Sequence, residues 1–85
     1  MNVKTEVLRF LESKNPIPGA TEADKLKCYY LDSGIIDSMG IVEMIGEFEA
    51  KFGIQFGADD LQSEEFTWVG GLISMIERLR GGNVS

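Results

Sequence analysis

The 85-residue chain contains no histidine and a single cysteine, Cys28. Without histidine there is no Ser-His or Cys-His pair to activate a nucleophile, and the commonest nitrogen ligand for a transition metal is missing. The acidic residues do not follow the spacing of a calcium loop. The chain therefore reads as a non-enzyme with no metal site of its own. A lone thiol cannot form an intrachain disulfide, which points to a reducing, cytoplasmic compartment. Basic residues are also scarce, with 8 Lys and Arg against 14 Asp and Glu for a net charge of -6. That balance argues against nucleic acid and anionic membrane as partners and favours basic protein surfaces, although acidity also serves plain solubility. Apolar runs are short, and none approaches the roughly 18 residues of a membrane span. The start, Met1 to Glu6, runs into mixed charge rather than a signal-peptide pattern. With Met1 at its head and a short tail, the chain reads as a free-standing protein.

The apolar content, 44%, is that of a globular domain. Over 3–14, Val3, Val7, Phe10 and Leu11 recur at helical spacing, with Lys4, Glu6, Arg9 and Glu12 on the other side. Asn15-Pro16 stops that helix, because a residue before proline avoids the helical region. Residues 15–37 form a long connection opened by Pro16, Pro18 and Gly19, with one helical turn available at Thr21–Leu26. Leu26, Tyr29, Leu31, Ile35 and Ile36 are too apolar for a free linker, so the connection is expected to lie pinned across the core. A second helix is predicted over 38–52, with Ile41, Ile45, Phe48 and Phe52 as its buried stripe, Met44 flanking it and Gly53 as its left-handed stop. Ala58–Leu61 and Ser63–Phe66 read as short helical pieces. A final helix over 67–80 takes Thr67 as N-cap and buries Val69, Leu72, Ile73, Ile76 and Leu79. Gly81-Gly82 closes it, and the tail to Ser85 is expected to fray. The expectation is an all-α fold: one domain over 1–85, ordered from about 3 to 80, with three main helices and a short one around one core.

Ser38 sits where the long connection meets the second helix. A phosphate ester there would lie at the positive end of the helix dipole. The stretch Leu31-Asp32-Ser33-Gly34-Ile35-Ile36-Asp37-Ser38-Met39 resembles the prosthetic-group attachment region of acyl and peptidyl carrier proteins. Phe48–Ile54, Asp60-Leu61 and Glu65-Phe66-Thr67 resemble later segments of the same family, so the likeness spans nearly the whole chain. Ile35–Gly40 is similar to D-alanyl and other stand-alone aminoacyl carriers, more than to the Ala-Asp-Ser-Leu pattern of fatty-acid carriers. The resemblance implies a 4′-phosphopantetheine arm on Ser38, installed from coenzyme A by a phosphopantetheinyl transferase. Asp37 would help that transferase position its metal, and it also suits a helix cap. The implied protein is a discrete, monomeric carrier holding acyl or aminoacyl groups as thioesters. Its partners would be a loading enzyme and a downstream transferase or synthase. A fatty-acid or polyketide carrier, or an unmodified acidic docking domain, are the alternatives.

On a helical wheel Met39, Val42, Glu43 and Gly46 face away from Ile41, Ile45 and Phe48. By the same resemblance Met39 contacts partner enzymes beside the arm, with Val42 as a second exposed apolar group. Glu43, Glu47 and Glu49 would supply rim charge, or else be simply solvated. Gly40 and Gly46 each cost a helix about 1 kcal/mol relative to alanine. Fatty-acid carriers typically have an acidic residue at the position of Gly40. A bare Gly46 would admit a partner backbone, or it is tolerated drift. Trp68 is expected to pack at an edge, and Cys28 to be a half-buried small side chain with only Lys25 and Lys27 near it to favour a thiolate.

Overall fold

The computed structural model describes residues 2–81. Asn2 opens helix α1, Val3–Lys14, by accepting the Thr5 amide on its side-chain oxygen at 3.1 Å. The predicted face is buried, and Leu8 joins it. The helix ends at Asn15, whose extended backbone precedes Pro16 as expected. Thr21 caps a short helix α2, Glu22–Leu26, inside the connection. The connection is pinned, but by a partly different set of side chains. Ile17, Tyr30, Ile35 and Ile36 are buried, Leu26 and Leu31 are half-buried, and Tyr29 is exposed against Trp68. The two adjacent tyrosines point apart, and the inward one is Tyr30, whose hydroxyl donates to the Phe66 carbonyl.

Helix α3 is Ser38–Phe52, and Gly53 ends it with φ 65°, in the left-handed region a glycine tolerates best. Its buried line differs from the predicted one. Gly40, Met44 and Phe48 face inward, while Ile41, Ile45 and Phe52 are half-buried on the flank. Ile41 stays half-covered because it borders an open groove that Leu61 and Phe66 also line. Gly40, having no side chain, gave no apolar signal that its position turns inward.

Helix α4, Ala58–Gln62, starts where the Asp60 carboxylate accepts the Gly57 amide at 2.9 Å. A 3₁₀ turn, Glu64–Thr67, follows and buries Phe66. Helix α5 is Val69–Gly81. Thr67 is therefore not its N-cap: its hydroxyl donates to the Glu64 carbonyl at 2.6 Å inside the 3₁₀ turn. The Trp68 carbonyl instead accepts the Leu72 amide, and the Val69 amide reaches back to the Cys28 carbonyl at 2.9 Å. Gly82 and the tail lie outside the described residues.

The three long helices share one core, centred on Leu11, Tyr30, Met44, Phe48, Leu72, Met75 and Ile76. Phe10 meets Phe48 edge-on at 5.4 Å, joining α1 to α3. Tyr30, Phe66 and Phe56 form a second edge-on series beneath the 3₁₀ turn. No strand occurs among the described residues. The fold is all-α as predicted: the short pieces expected at Ala58–Leu61 and Ser63–Phe66 are α4 and the 3₁₀ turn, and the helical turn expected at Thr21–Leu26 is α2.

Candidate functional site

Two consecutive loop residues are locked onto the first turn of α3, and Ser38 follows directly. Ile36 is 5% exposed and packs against the helix at Gly40. Asp37 has extended backbone and caps the helix, its Oδ1 accepting the Gly40 amide at 2.8 Å. Its carbonyl accepts the Ile41 amide at 2.9 Å, the first bond of the helical ladder. Further back, the Asn15 side chain donates to the Ile35 carbonyl at 2.8 Å, so the end of α1 steadies the loop. These contacts place Ser38 as the exposed first residue of α3, at the positive end of a 15-residue helix.

Open surface lies on both sides of Ser38. One groove, about 520 Å³, has Ser38 at its mouth and walls of Leu31, Ile36, Ile41, Leu61 and Phe66. The other, about 370 Å³, runs between the end of α1 and α3, past Lys14, Ile36, Met39 and Glu43.

No protein-family model matches the chain. Over 81 residues it is 33% identical to a D-alanyl carrier protein of Leuconostoc citreum, a match covering 95% of this chain and 100% of that protein. The chain belongs to the D-alanyl carrier protein family. It is 27% identical over 81 residues to the D-alanyl carrier protein of Leuconostoc mesenteroides, again across 95% of this chain and 100% of that one. The Streptococcus thermophilus protein of the same name is 35% identical over 65 residues, covering 71% of this chain and 78% of that one. The discrete aminoacyl-type carrier read from Ile35–Gly40 is thus borne out at the level of the family. Carrier proteins as a class use a phosphopantetheine group and are not generally catalysts.

The residues present fit such a group. Ser38 is accessible, its helix start favours a phosphodiester, and the adjacent apolar groove offers a surface along which a flexible arm can rest. No helix among the described residues is long and apolar enough to cross a membrane.

The face beside Ser38 is as the helical wheel placed it. Met39 is 78% exposed and Val42 70%, two large apolar side chains one turn apart. Gly46 opens to empty space, with nothing within 4 Å of where a Cβ would stand. Glu43 and Glu47 are on the surface, but neither is simply solvated: Glu43 pairs with Lys14 at 2.9 Å and Glu47 with Lys51 at 3.7 Å. Glu49 does not belong to the rim. Its carboxylate turns to the Phe56 amide at 2.9 Å and holds the chain just after α3. Cys28 is half-buried, as expected. Trp68 is half-buried and folds back over Gly70 and Gly71. The residue that pattern reading missed is Gly40 as a packing partner of Ile36. The available signal was a bulky apolar residue one helical turn before a helix glycine.

Proposed function

We propose that this chain carries an aminoacyl group, D-alanyl by likeness to its named relatives, as a thioester on a phosphopantetheine arm attached to Ser38. The observation that carries this reading is an exposed serine at the first position of a long helix, capped by the aspartate before it, in a D-alanyl carrier family chain. In the modification step the Ser38 hydroxyl attacks the β-phosphate of coenzyme A. Its proton goes to the transferase or solvent, and 3′,5′-ADP departs. The arm supplies a terminal thiol that takes the cargo as a thioester.

The chain's own residues present and protect that site. Asp37 holds the helix start with one carboxylate oxygen, and its exposed position leaves it available to the metal of a phosphopantetheinyl transferase. Met39 and Val42 offer a deformable apolar contact to successive partners, a loading enzyme first and a downstream transferase afterwards. Glu43 and Glu47 give that contact an acidic border suited to basic partners, and Gly46 lets a partner backbone approach α3. The protein works as a monomer in the cytoplasm, where Cys28 stays reduced.

Incubation with coenzyme A, magnesium and a broad-specificity phosphopantetheinyl transferase tests the attachment. The intact protein should gain about 340 Da, the mass of the arm, and Ser38→Ala should gain nothing while keeping its helical circular dichroism. A wild type that stays unmodified beside a modified control carrier would overturn the reading. Supplying the modified protein with an amino-acid-activating ligase, ATP and either D- or L-alanine tests the cargo. Preferential loading of D-alanine is the expected result.

A further inference from the structure

Gly40 lies inside α3, where a glycine is a poor choice for the backbone, and a contact explains it. A Cβ at position 40 would stand 2.4 Å from Ile36 Cγ1, 3.1 Å from Ile36 Cδ1 and 3.4 Å from Asp37 Oδ1. The same residue donates its amide to Asp37 Oδ1. Gly40 therefore receives two successive loop residues, Ile36 in the space of its absent side chain and Asp37 on its N–H. We propose that Gly40 is a positioning residue for modification of Ser38, setting the bearing of the Asp37-Ser38 pair through the packing of Ile36. This inference rests on Ser38 being the attachment point.

The geometry leaves little room for a substitute. Ile36 Cγ1 is the inner part of a β-branched side chain, not a flexible far end, and Ile36 is 5% exposed. A methyl group at 40 has to displace the inner part of Ile36, either by forcing its stiff χ1 out of the buried rotamer or by moving the loop backbone two residues before Ser38. Ile36 also walls both grooves that flank Ser38, so its displacement reshapes the surface on each side. Gly46, on the same helix, meets nothing, which separates a packed glycine from one that is merely exposed.

The test uses the apo protein, coenzyme A and a broad-specificity transferase, with initial rates followed by mass spectrometry. Gly40→Ala should lower kcat for arm transfer by at least about tenfold, since small misplacements of a reacting group are costly. KM should change little, because Met39 and Val42 remain exposed. The amide of residue 40 should exchange faster with solvent as the Asp37 cap loosens. Ile36→Ala combined with Gly40→Ala removes the colliding atoms and lets the new methyl group at 40 pack into the space they leave, so the loop keeps its seat on α3 and most of the rate should return. If Gly40→Ala is poorly folded, the double variant carries the test: near-native rates support the lock, and persistently slow transfer overturns it. Gly40→Ala that melts higher and reacts at the native rate also overturns it. A wild type that is never modified would instead overturn the carrier reading, and this inference with it.

Discussion

Tyr30 is the side chain that fastens the long connection to the rest of the molecule. It has no exposed surface, and its hydroxyl donates to the Phe66 carbonyl at the 3₁₀ turn. Burial pushes the phenol well above its ordinary 10.0, so it remains a donor throughout the range in which the protein folds. Tyr30→Phe keeps the ring and strands the buried carbonyl, and should cost about 1–3 kcal/mol in urea unfolding. A loss within a few tenths would mean that water reaches the Phe66 carbonyl and replaces the hydroxyl. Nothing in a loop sequence reading Tyr29-Tyr30 tells which ring turns inward, because no period of 2 or 3.6 runs through it. Trp68 posed the same difficulty. Its indole lies where side chains at Gly70 and Gly71 would collide with it, at 2.5 and 2.6 Å. By contrast Asp37 and Ser38 were legible, since a cap residue before an apolar-striped helix has one local geometry open to it.

At the scale of elements, α3 does two jobs: its first turn presents Ser38, and its middle fills the core. Met44 is fully buried, whereas Ile45 is half-buried beside it. Met44→Ala should therefore destabilise by about 2–5 kcal/mol, as truncations of fully buried side chains do. Ile45→Ala should cost less than half as much. Chemical denaturation of the two variants decides between this order and the one the apolar pattern predicts, in which Ile45 matters more. The existence of α1, α3 and α5 was legible because each repeats apolar residues at helical spacing over more than two turns. The rotation of α3 was not. Its apolar side is wide, and the groove that leaves Ile41 half-covered depends on where α4 and the 3₁₀ turn settle. The start of α5 was displaced for a related reason. Thr67 has the chemistry of an N-cap, but the 3₁₀ turn takes its hydroxyl, and the Cys28 carbonyl takes the Val69 amide. That last partner lies far away in sequence, where no local pattern reaches.

Across the whole molecule, α1 and α3 are joined by the Phe10–Phe48 ring contact, with ion pairs at either side: Lys14 with Glu43, and Lys51 with Glu6 at 2.8 Å. Glu6 also holds Arg9 at 3.0 Å, and Lys51 also faces Glu47. The hydrogen bond from Lys51 holds the Glu6 carboxyl below its ordinary 4.5, and the same bond raises Lys51 above 10.5. The signs define a window. A depressed carboxyl stabilises the fold above 4.5 and loses that contribution as the pH falls through its lowered value. A raised ammonium stabilises below 10.5 and loses its contribution as the pH rises through its higher value. Raw melting curves mix this with the relief of self-repulsion as a chain of net charge -6 is titrated. The quantity to measure is therefore the difference in Tm between wild type and Glu6→Gln. It should be level between the ordinary carboxyl and ammonium ranges, shrink as the pH falls below 4.5 through the lowered Glu6 value, and narrow in high salt because the ammonium is partly exposed. A difference unchanged down to the acid limit would assign the contribution of Glu6 to packing between α1 and α3, and the charge would then have no part in holding the Ser38 helix in place.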